Sequence, residues 1–287
     1  MQDNQQDTQP VGSQETPKEN NIFIANPEPP KEQQKKTIAR EVIAAIIFVI
    51  IIIVSVVAWS FLSANTAVNQ YNSATKKQLA ALEAPLKDLT PDLVINNKNL
   101  DTTLEKIIEL QQPNLRIVFF ASALSPMYRQ AEATQKQVNE YYKELNQYAQ
   151  DVTKLVSFSA QVKEIQTQLT EAKATTQMNN PASLRVLGGT VTKYQQQLVT
   201  MNAPPQLKDI QRQIAEAYAQ EVEDYYAWAT AIDENQPAKA QELEANITKN
   251  TLKIDEMTTD ENYVKQFNAS YRVLQQQQQA ITQRLNS

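Results

Sequence analysis

Residues 42–62 form an apolar run that constrains this chain more than any other feature of its sequence. Fifteen of these positions are Ile, Val, Phe or Leu, and no charged residue occurs between Val42 and Thr75. A helix of about 20 apolar residues crosses a bilayer core, and inserting this run gains roughly 5 kcal/mol on a translocation scale. The run therefore predicts one transmembrane helix over residues 42–62, with the lipid bilayer as a partner.

Basic residues flank this run asymmetrically. Those nearest to it are Lys31, Lys35, Lys36 and Arg40 on the N-terminal side, and Lys76 and Lys77 beyond it. Because cytoplasmic flanks of membrane helices carry an excess of Lys and Arg, residues 1–41 are predicted to lie in the cytoplasm. Residues 63–287 are then extracytoplasmic, in a single-pass protein of a cell membrane.

A cleaved signal peptide is the alternative interpretation, since small residues follow the run at positions 63–67. Two features oppose cleavage: a long polar segment, residues 1–41, precedes the run, and the run exceeds the roughly 7–15 apolar residues usual in signal peptides. We therefore predict an uncleaved signal-anchor. The tail, residues 1–41, is rich in Gln, Asn, Glu and Pro with one apolar cluster at 22–24, a composition that predicts disorder.

Beyond the run, apolar residues recur at alternating steps of three and four, which is typical of helices packed at a shallow angle. The longest series comprises Ala131, Thr134, Val138, Tyr141, Leu145, Tyr148, Val152 and Leu155. Others continue at residues 68–86, 184–201 and 264–285. With only 3 Gly in the chain, the pattern predicts an all-α fold in which residues 63–287 form an antiparallel helical bundle with coiled-coil-like seams.

Prolines and caps set the predicted helix limits. Long helices are expected over residues 126–176, 181–202, 205–232, 237–257 and 260–285. The seam at residues 68–86 predicts that the membrane helix continues to about Glu83, ahead of Pro85 and Pro91. The capping box from Thr102 to Glu105 predicts the start of a further helix. Near residue 158 the heptad phase slips, so residues 126–176 are either one helix or a hairpin.

The chain has no His and no Cys, which removes the commonest general base, the commonest metal ligand and every thiol. We predict no catalytic, cofactor-binding or metal-binding residue, and no enzyme activity. The net charge of -5 has mixed signs along the chain, so nucleic-acid binding is not expected. The densest acidic patch, Glu221, Glu223 and Asp224, is interpreted as a solvated helix face because Val222 and Tyr225 are assigned to the seam.

Two further segments carry predictions. Residues 115–124 are the most apolar stretch outside the run, and they are interpreted as a buried core helix, with a membrane-contacting or partner-contacting surface as the alternative. Gly188 and Gly189 lie inside a predicted helix, where each costs about 1 kcal/mol relative to Ala. The close approach of a neighbouring helix is the expected reason.

Regular apolar seams, together with the absence of His and Cys, favour a structural role. The leading hypothesis is a bacterial envelope protein that acts through contacts with a protein partner or with its own copies, as a scaffold, adhesion or assembly component. The alternative is a ligand-sensing or ligand-binding ectodomain coupled through the membrane helix to a cytoplasmic partner. An envelope enzyme using two carboxylates is a third hypothesis, which would need paired acids facing a pocket.

Overall fold

The computed structural model describes residues 31–95, 100–110 and 112–286. All regular elements in these ranges are helices, so the all-α prediction is confirmed for them. The predicted tail cluster at 22–24 lies outside the described residues. The helices are α1 (Lys31–Asp88), α2 (Pro91–Val94), α3 (Leu100–Glu109), α4 (Ala121–Leu124), α5 (Pro126–Thr175), α6 (Pro181–Thr200), α7 (Lys208–Asp233), α8 (Pro237–Met257) and α9 (Asp260–Asn286), with a 3-10 turn at Pro205–Leu207 before α7.

The chain divides into two compact units, Met1–Val56 and Val57–Ser287. In the first unit, helix α1 begins at Lys31, inside the segment predicted as a tail. Residues 31–40 contain no Gly or Pro and are mostly good helix formers, so the helix extends backwards from the apolar run at little cost. The apolar side chains of residues 42–54 in this unit are all exposed.

The second unit has a continuous apolar core. Its helices pack in pairs, α6 against α7, α7 against α8 and α5 against α9. The core is filled by aromatic and aliphatic residues of these helices and of the later part of α1, including the fully buried Tyr141, Phe158, Tyr225, Tyr263 and Phe267. A smaller separate cluster joins residues 64–71 of α1 to Leu115, Ala121, Tyr128 and Ala131.

Helix α5 decides the question that the heptad slip left open. It runs without a break from Pro126 to Thr175, so the slip near Phe158 lies inside one helix and is not a hairpin. Both Phe158 and Val162 are buried, which means that the buried stripe shifts around the helix without leaving the core. Its first turn is capped as predicted, because Ser125 Oγ accepts a hydrogen bond from Tyr128 N at 3.2 Å.

Further helix limits differ from the predictions in α1, α3 and α7, and α7 begins at Lys208 and not at Pro205. Helix α1 continues through Pro85 to Asp88. Pro85 lacks an N–H and leaves the carbonyl one turn before it without a helical partner, but the residues after Pro85 can still complete a last turn. Helix α3 begins at Leu100, so Thr102 is an internal residue and not the predicted cap. Leu100 is buried, and apolar packing starts the helix ahead of the capping box.

Candidate functional site

A buried carboxylate on α7 is the chemically most unusual group of the second unit. Helix α7 turns a stripe with alternating steps of four and three residues toward the core: Ile214, Tyr218, Glu221, Tyr225 and Trp228. Glu221 occupies a position in this stripe that would ordinarily be apolar, and its side chain is 0% exposed. A charged group at such a depth is costly unless it is paired.

Two neighbouring helices supply the partners of Glu221. Lys173 Nζ, near the end of α5, lies 3.3 Å from Glu221 Oε2. Thr251 Oγ1, on α8, donates a hydrogen bond to Glu221 Oε1 at 2.7 Å. Lys173 Nζ also donates to Thr251 Oγ1 at 2.9 Å. The three side chains therefore form a closed triangle that links α5, α7 and α8.

Burial dominates the electrostatics of this triangle. Desolvation raises the pKa of Glu221 above its ordinary value, and it outweighs the ammonium of Lys173 and the hydroxyl of Thr251, which lower it. The neighbouring carboxylate of Asp224 raises that pKa further. The pKa of Tyr225 is also raised, first by burial and then by the charge on Glu221. Glu221 is thus held as a buried group that accepts a proton more readily than a free glutamate does.

Asp224 lies one turn further along α7 and is also buried. Its Oδ1 accepts a hydrogen bond from Gln220 Nε2 at 3.1 Å, while its Oδ2 has no partner within the part of the chain that the structure describes. The interpretation of this patch as a solvated face is therefore wrong for Glu221 and Asp224, although Glu223 is exposed. The seam runs through Glu221 and not through Val222, which is only half-buried.

A third buried acid, Asp151 of α5, was not predicted from the sequence. Gln147 Nε2 and Lys154 Nζ lie 3.0 Å and 3.4 Å from its Oδ1, and Gln206 Nε2 donates to its Oδ2 at 3.2 Å. Asp151, Gln147 and Gln206 line a cavity of about 230 Å³ together with Tyr148 and Leu274. Gln206 Oε1 is buried without a partner among the described residues.

The apolar stretch 115–124 does not form the predicted core helix. Leu115 and Ala121 are buried, but Ile117, Phe119 and Phe120 are 87%, 81% and 70% exposed. Helix α4 contains only the last four residues of the stretch, and residues 112–118 have no regular structure. An irregular segment offers no repeating face to a core, so most of its apolar side chains point outward.

Gly188 meets the expectation of a close helix approach. A Cβ built at Gly188 would lie 3.2 Å from Tyr226 Cε2 and 3.5 Å from Tyr225 Cβ, so α6 and α7 approach here more closely than an alanine would allow without adjustment. Gly189 is exposed, and its Cβ would meet only Tyr226 Oη at 3.9 Å. Close approach therefore explains the first glycine and not the second.

The buried carboxylate of Glu221 interacts only with groups inside the protein. Glu221 has no exposed surface, so a dissolved substrate cannot reach it while the three helices are packed. Within the described residues, no group of three or more acidic side chains is placed to hold a metal ion. The absence of catalytic, cofactor and metal residues stays a prediction. Comparisons with protein-family models, with curated proteins and with solved structures give no match to the chain.

The spacing of residues along α7 is enough to predict part of the buried cluster around Glu221. Tyr218, Glu221 and Tyr225 follow the same three-four rhythm as the apolar seams, so Glu221 could have been assigned to the core from the sequence. Lys173 and Thr251 carry no such signal, because their role depends on which helices become neighbours.

Proposed function

We propose that this chain is a single-pass membrane protein whose residues 63–287 form an antiparallel helical bundle on the outer side of a bacterial membrane. In this proposal residues 42–62 lie in the bilayer and residues 1–41 lie in the cytoplasm. The bundle acts through contacts with a partner protein or with its own copies, as a scaffold, adhesion or assembly component.

One observation carries the membrane part of the proposal. Within the described residues one helix segment, Val42–Asp88, is long and apolar enough to span a membrane, and its most apolar window has a mean hydropathy of 3.3 with none of it buried. A helix that is apolar on all sides needs either a protein core or lipid around it. Since the side chains of residues 42–54 are exposed on every face, lipid is the environment that suits them.

Cross-helix contacts support the antiparallel arrangement. Gln211, near the start of α7, donates to the carbonyl of Leu198 at the end of α6 at 2.7 Å. In the same way, Lys163 of α5 pairs with Asp260 at the start of α9, and Gln277, further along α9, donates to Glu144, earlier in α5. Short connections between consecutive helices are the usual companions of such packing.

Topology can be tested by thiol labelling, because the chain contains no Cys. We expect Gln276→Cys in the full chain to react with a membrane-impermeant maleimide in intact bacteria, and Ser13→Cys to react only after the membrane is permeabilised. The reverse labelling pattern would refute the orientation. Release of the protein into the medium or into a carbonate wash would refute the anchor itself.

The contact role can be tested at exposed apolar positions of the bundle. Val186 and Leu252 are 72% and 60% exposed, and apolar side chains at a contact are buried when a partner binds. A photo-crosslinking amino acid at either position should give a discrete adduct in intact cells. Gln196 and Lys253, exposed polar positions on the same two helices, are the matched controls, and equal patterns at all four positions would contradict the proposal.

A ligand-sensing bundle is the second candidate, and the cavity beside Asp151 favours it. Gln147, Asp151 and Gln206 line this cavity, and their polar side chains suit a small ligand that carries hydrogen-bonding groups. Such a ligand would raise the melting temperature of the full chain, because binding stabilises only the folded state. The shift should disappear in Gln206→Leu. If a ligand raises the melting temperature equally in that variant, this cavity is not the site.

A further inference from the structure

The segment that follows α3 is held against the protein by hydrogen bonds and by the buried side chain of Leu115. Tyr128 Oη donates a hydrogen bond to the carbonyl of Arg116 at 2.7 Å and accepts one from Val118 N at 3.2 Å. Gln135 Nε2 donates to Asn114 Oδ1 at 3.2 Å. The segment is therefore held against α5, and its apolar side chains at Ile117 and Phe119 are left facing outward.

Residues 116–120, the apolar loop, combine three large exposed apolar side chains with one base. Ile117, Phe119 and Phe120 are each at least 70% exposed, and Arg116 is exposed beside them. Single exposed apolar residues are common, but a cluster at the tip of a loop usually marks a surface that contacts another molecule. In water the side chains of this cluster bury almost no apolar surface when the protein folds.

The backbone of Phe120 strengthens this point. Its φ is 58°, in the left-handed region, where Gly or Asn is usual and a bulky residue is strained. The ring is 70% exposed, so packing inside the chain gives little in return for that strain. A phenylalanine at such a position is explained if its ring is buried against something outside the protein.

The apolar loop lies beside the C-terminal end of the apolar run. Arg116, Ile117 and Phe119 line one groove together with Trp59 and Leu62 of α1. Trp59 and Leu62 are themselves 65% and 66% exposed, and they are among the last apolar residues of the segment assigned to lipid. Aromatic rings and an arginine are the side chains that favour the boundary between acyl chains and headgroups.

We propose that the apolar loop is a second membrane contact, which inserts Ile117, Phe119 and Phe120 into the acyl–headgroup boundary of the outer leaflet. Arg116 then faces the lipid phosphates. The inference rests on the proposed anchoring of residues 42–62, because it is that anchoring which brings Trp59 and the loop beside it to the membrane surface. The loop ties the bundle to the bilayer at a point far away in sequence from the anchor.

Depth-dependent quenching in lipid vesicles tests this proposal on the full chain. Ile117→Cys, labelled with the environment-sensitive fluorophore NBD, is reconstituted into vesicles of phosphatidylcholine and phosphatidylglycerol with or without brominated acyl chains. Val186→Cys and Leu252→Cys are the matched controls, since both side chains are apolar and exposed but lie on α6 and α8. We expect the loop label to be quenched by brominated lipid at least about twofold more strongly than either control.

A second variant tests the side chains of the loop. Combining Ile117→Cys with Phe119→Ser and Phe120→Ser removes the apolar rings and should bring the quenching of the label down to the level of the controls. Quenching that is unchanged in this variant would overturn the assignment to these rings. Helicity by far-UV circular dichroism confirms that the triple variant is folded, and a variant with only Phe119→Ser replaces it if it is not.

Trp59 separates failure of this inference from failure of the anchor. In a Trp228→Phe background Trp59 is the only tryptophan, so its own quenching by brominated lipid reports on the end of the apolar run. Quenching of Trp59 without quenching of the loop label overturns the loop contact and leaves the anchor standing. The absence of both overturns both. A loop label that becomes blue-shifted only at high protein-to-lipid ratios, without quenching by brominated lipid, shows a second copy as the occupant and overturns the lipid assignment.

Discussion

Replacing Lys173 with Met should destabilise the folded protein mainly through its effect on Glu221. The substitution keeps most of the apolar stem of Lys173 but removes the ammonium group 3.3 Å from Glu221 Oε2. Removing one partner of a buried ion pair typically costs about 3–5 kcal/mol, because the remaining charge stays buried. Lys173 is 23% exposed, and Thr251 still donates to the carboxylate, so we expect the lower end, about 3 kcal/mol, near neutral pH.

The pH dependence identifies the cause of this loss. The pKa of Glu221 in the folded protein is raised above its ordinary value of 4.5. The stability linked to its protonation is therefore fully present below pH 4.5 and is lost as the pH rises through the folded pKa. Without Lys173 that pKa rises further, so the variant goes on losing stability up to a higher pH than the unmodified chain does. At acid pH Glu221 is neutral in both proteins, and the cost should fall to about 1 kcal/mol.

Denaturant unfolding of the full chain in detergent micelles, followed by far-UV circular dichroism, measures these differences relative to the unmodified chain at each pH. Lys239→Met is the matched control, since Lys239 Nζ lies 2.9 Å from Glu242 Oε2 but both side chains are about half exposed. An exposed pair contributes less than about 1 kcal/mol. Burial and not distance should therefore decide the size of the effect.

A double variant tests whether the unpaired charge on Glu221 causes the loss of stability. Adding Glu221→Gln to Lys173→Met removes the unpaired charge and should recover most of the lost stability near neutral pH. Three results would contradict this account: equal costs for Lys173→Met and Lys239→Met, a cost for Lys173→Met that does not change with pH, or a double variant less stable than Lys173→Met alone.

Two substitution pairs give further predictions for the same unfolding assay. Gly189→Ala should raise the free energy of unfolding by about 1 kcal/mol, and Gly188→Ala should gain less, because its Cβ would lie 3.2 Å from a ring carbon of Tyr226; the reverse order would contradict the geometry. Tyr148→Phe should cost about 1–2 kcal/mol, since its hydroxyl donates to a buried carbonyl at 2.9 Å. Tyr141→Phe should be neutral or stabilising, because its buried hydroxyl has no partner among the described residues; an equal cost for both would refute this difference.

Local pattern determined much of the fold. Proline positions predicted the starts of α5, α6 and α8, and the structure has α8 at Pro237–Met257 and α9 at Asp260–Asn286, within a residue of the predicted limits. Every member of the seam from Ala131 to Leu155 is buried. These features depend on residues within one or two turns of each other, so the sequence contains them directly.

The sequence predicts which polar residues lie in a helix seam, but it does not predict which residues they contact. Gln278 lies in the seam of α9, and its side-chain amide donates to the carbonyl of Leu79 on α1 at 3.1 Å. The spacing indicates that such a residue faces inward. Its partner is 199 positions away, and only the packing of the two helices brings it within reach.

The apolar run shows what the sequence alone could determine about this protein, because length and hydropathy are properties of consecutive residues. The segment 115–124 and the acid patch on α7 show what it could not. An apolar stretch is buried only if a neighbouring surface covers it, and an acid is solvated only if its helix face is left open. The tertiary structure leaves Ile117, Phe119 and Phe120 uncovered and closes three helices around Glu221, since burial is decided by neighbours that are distant in sequence.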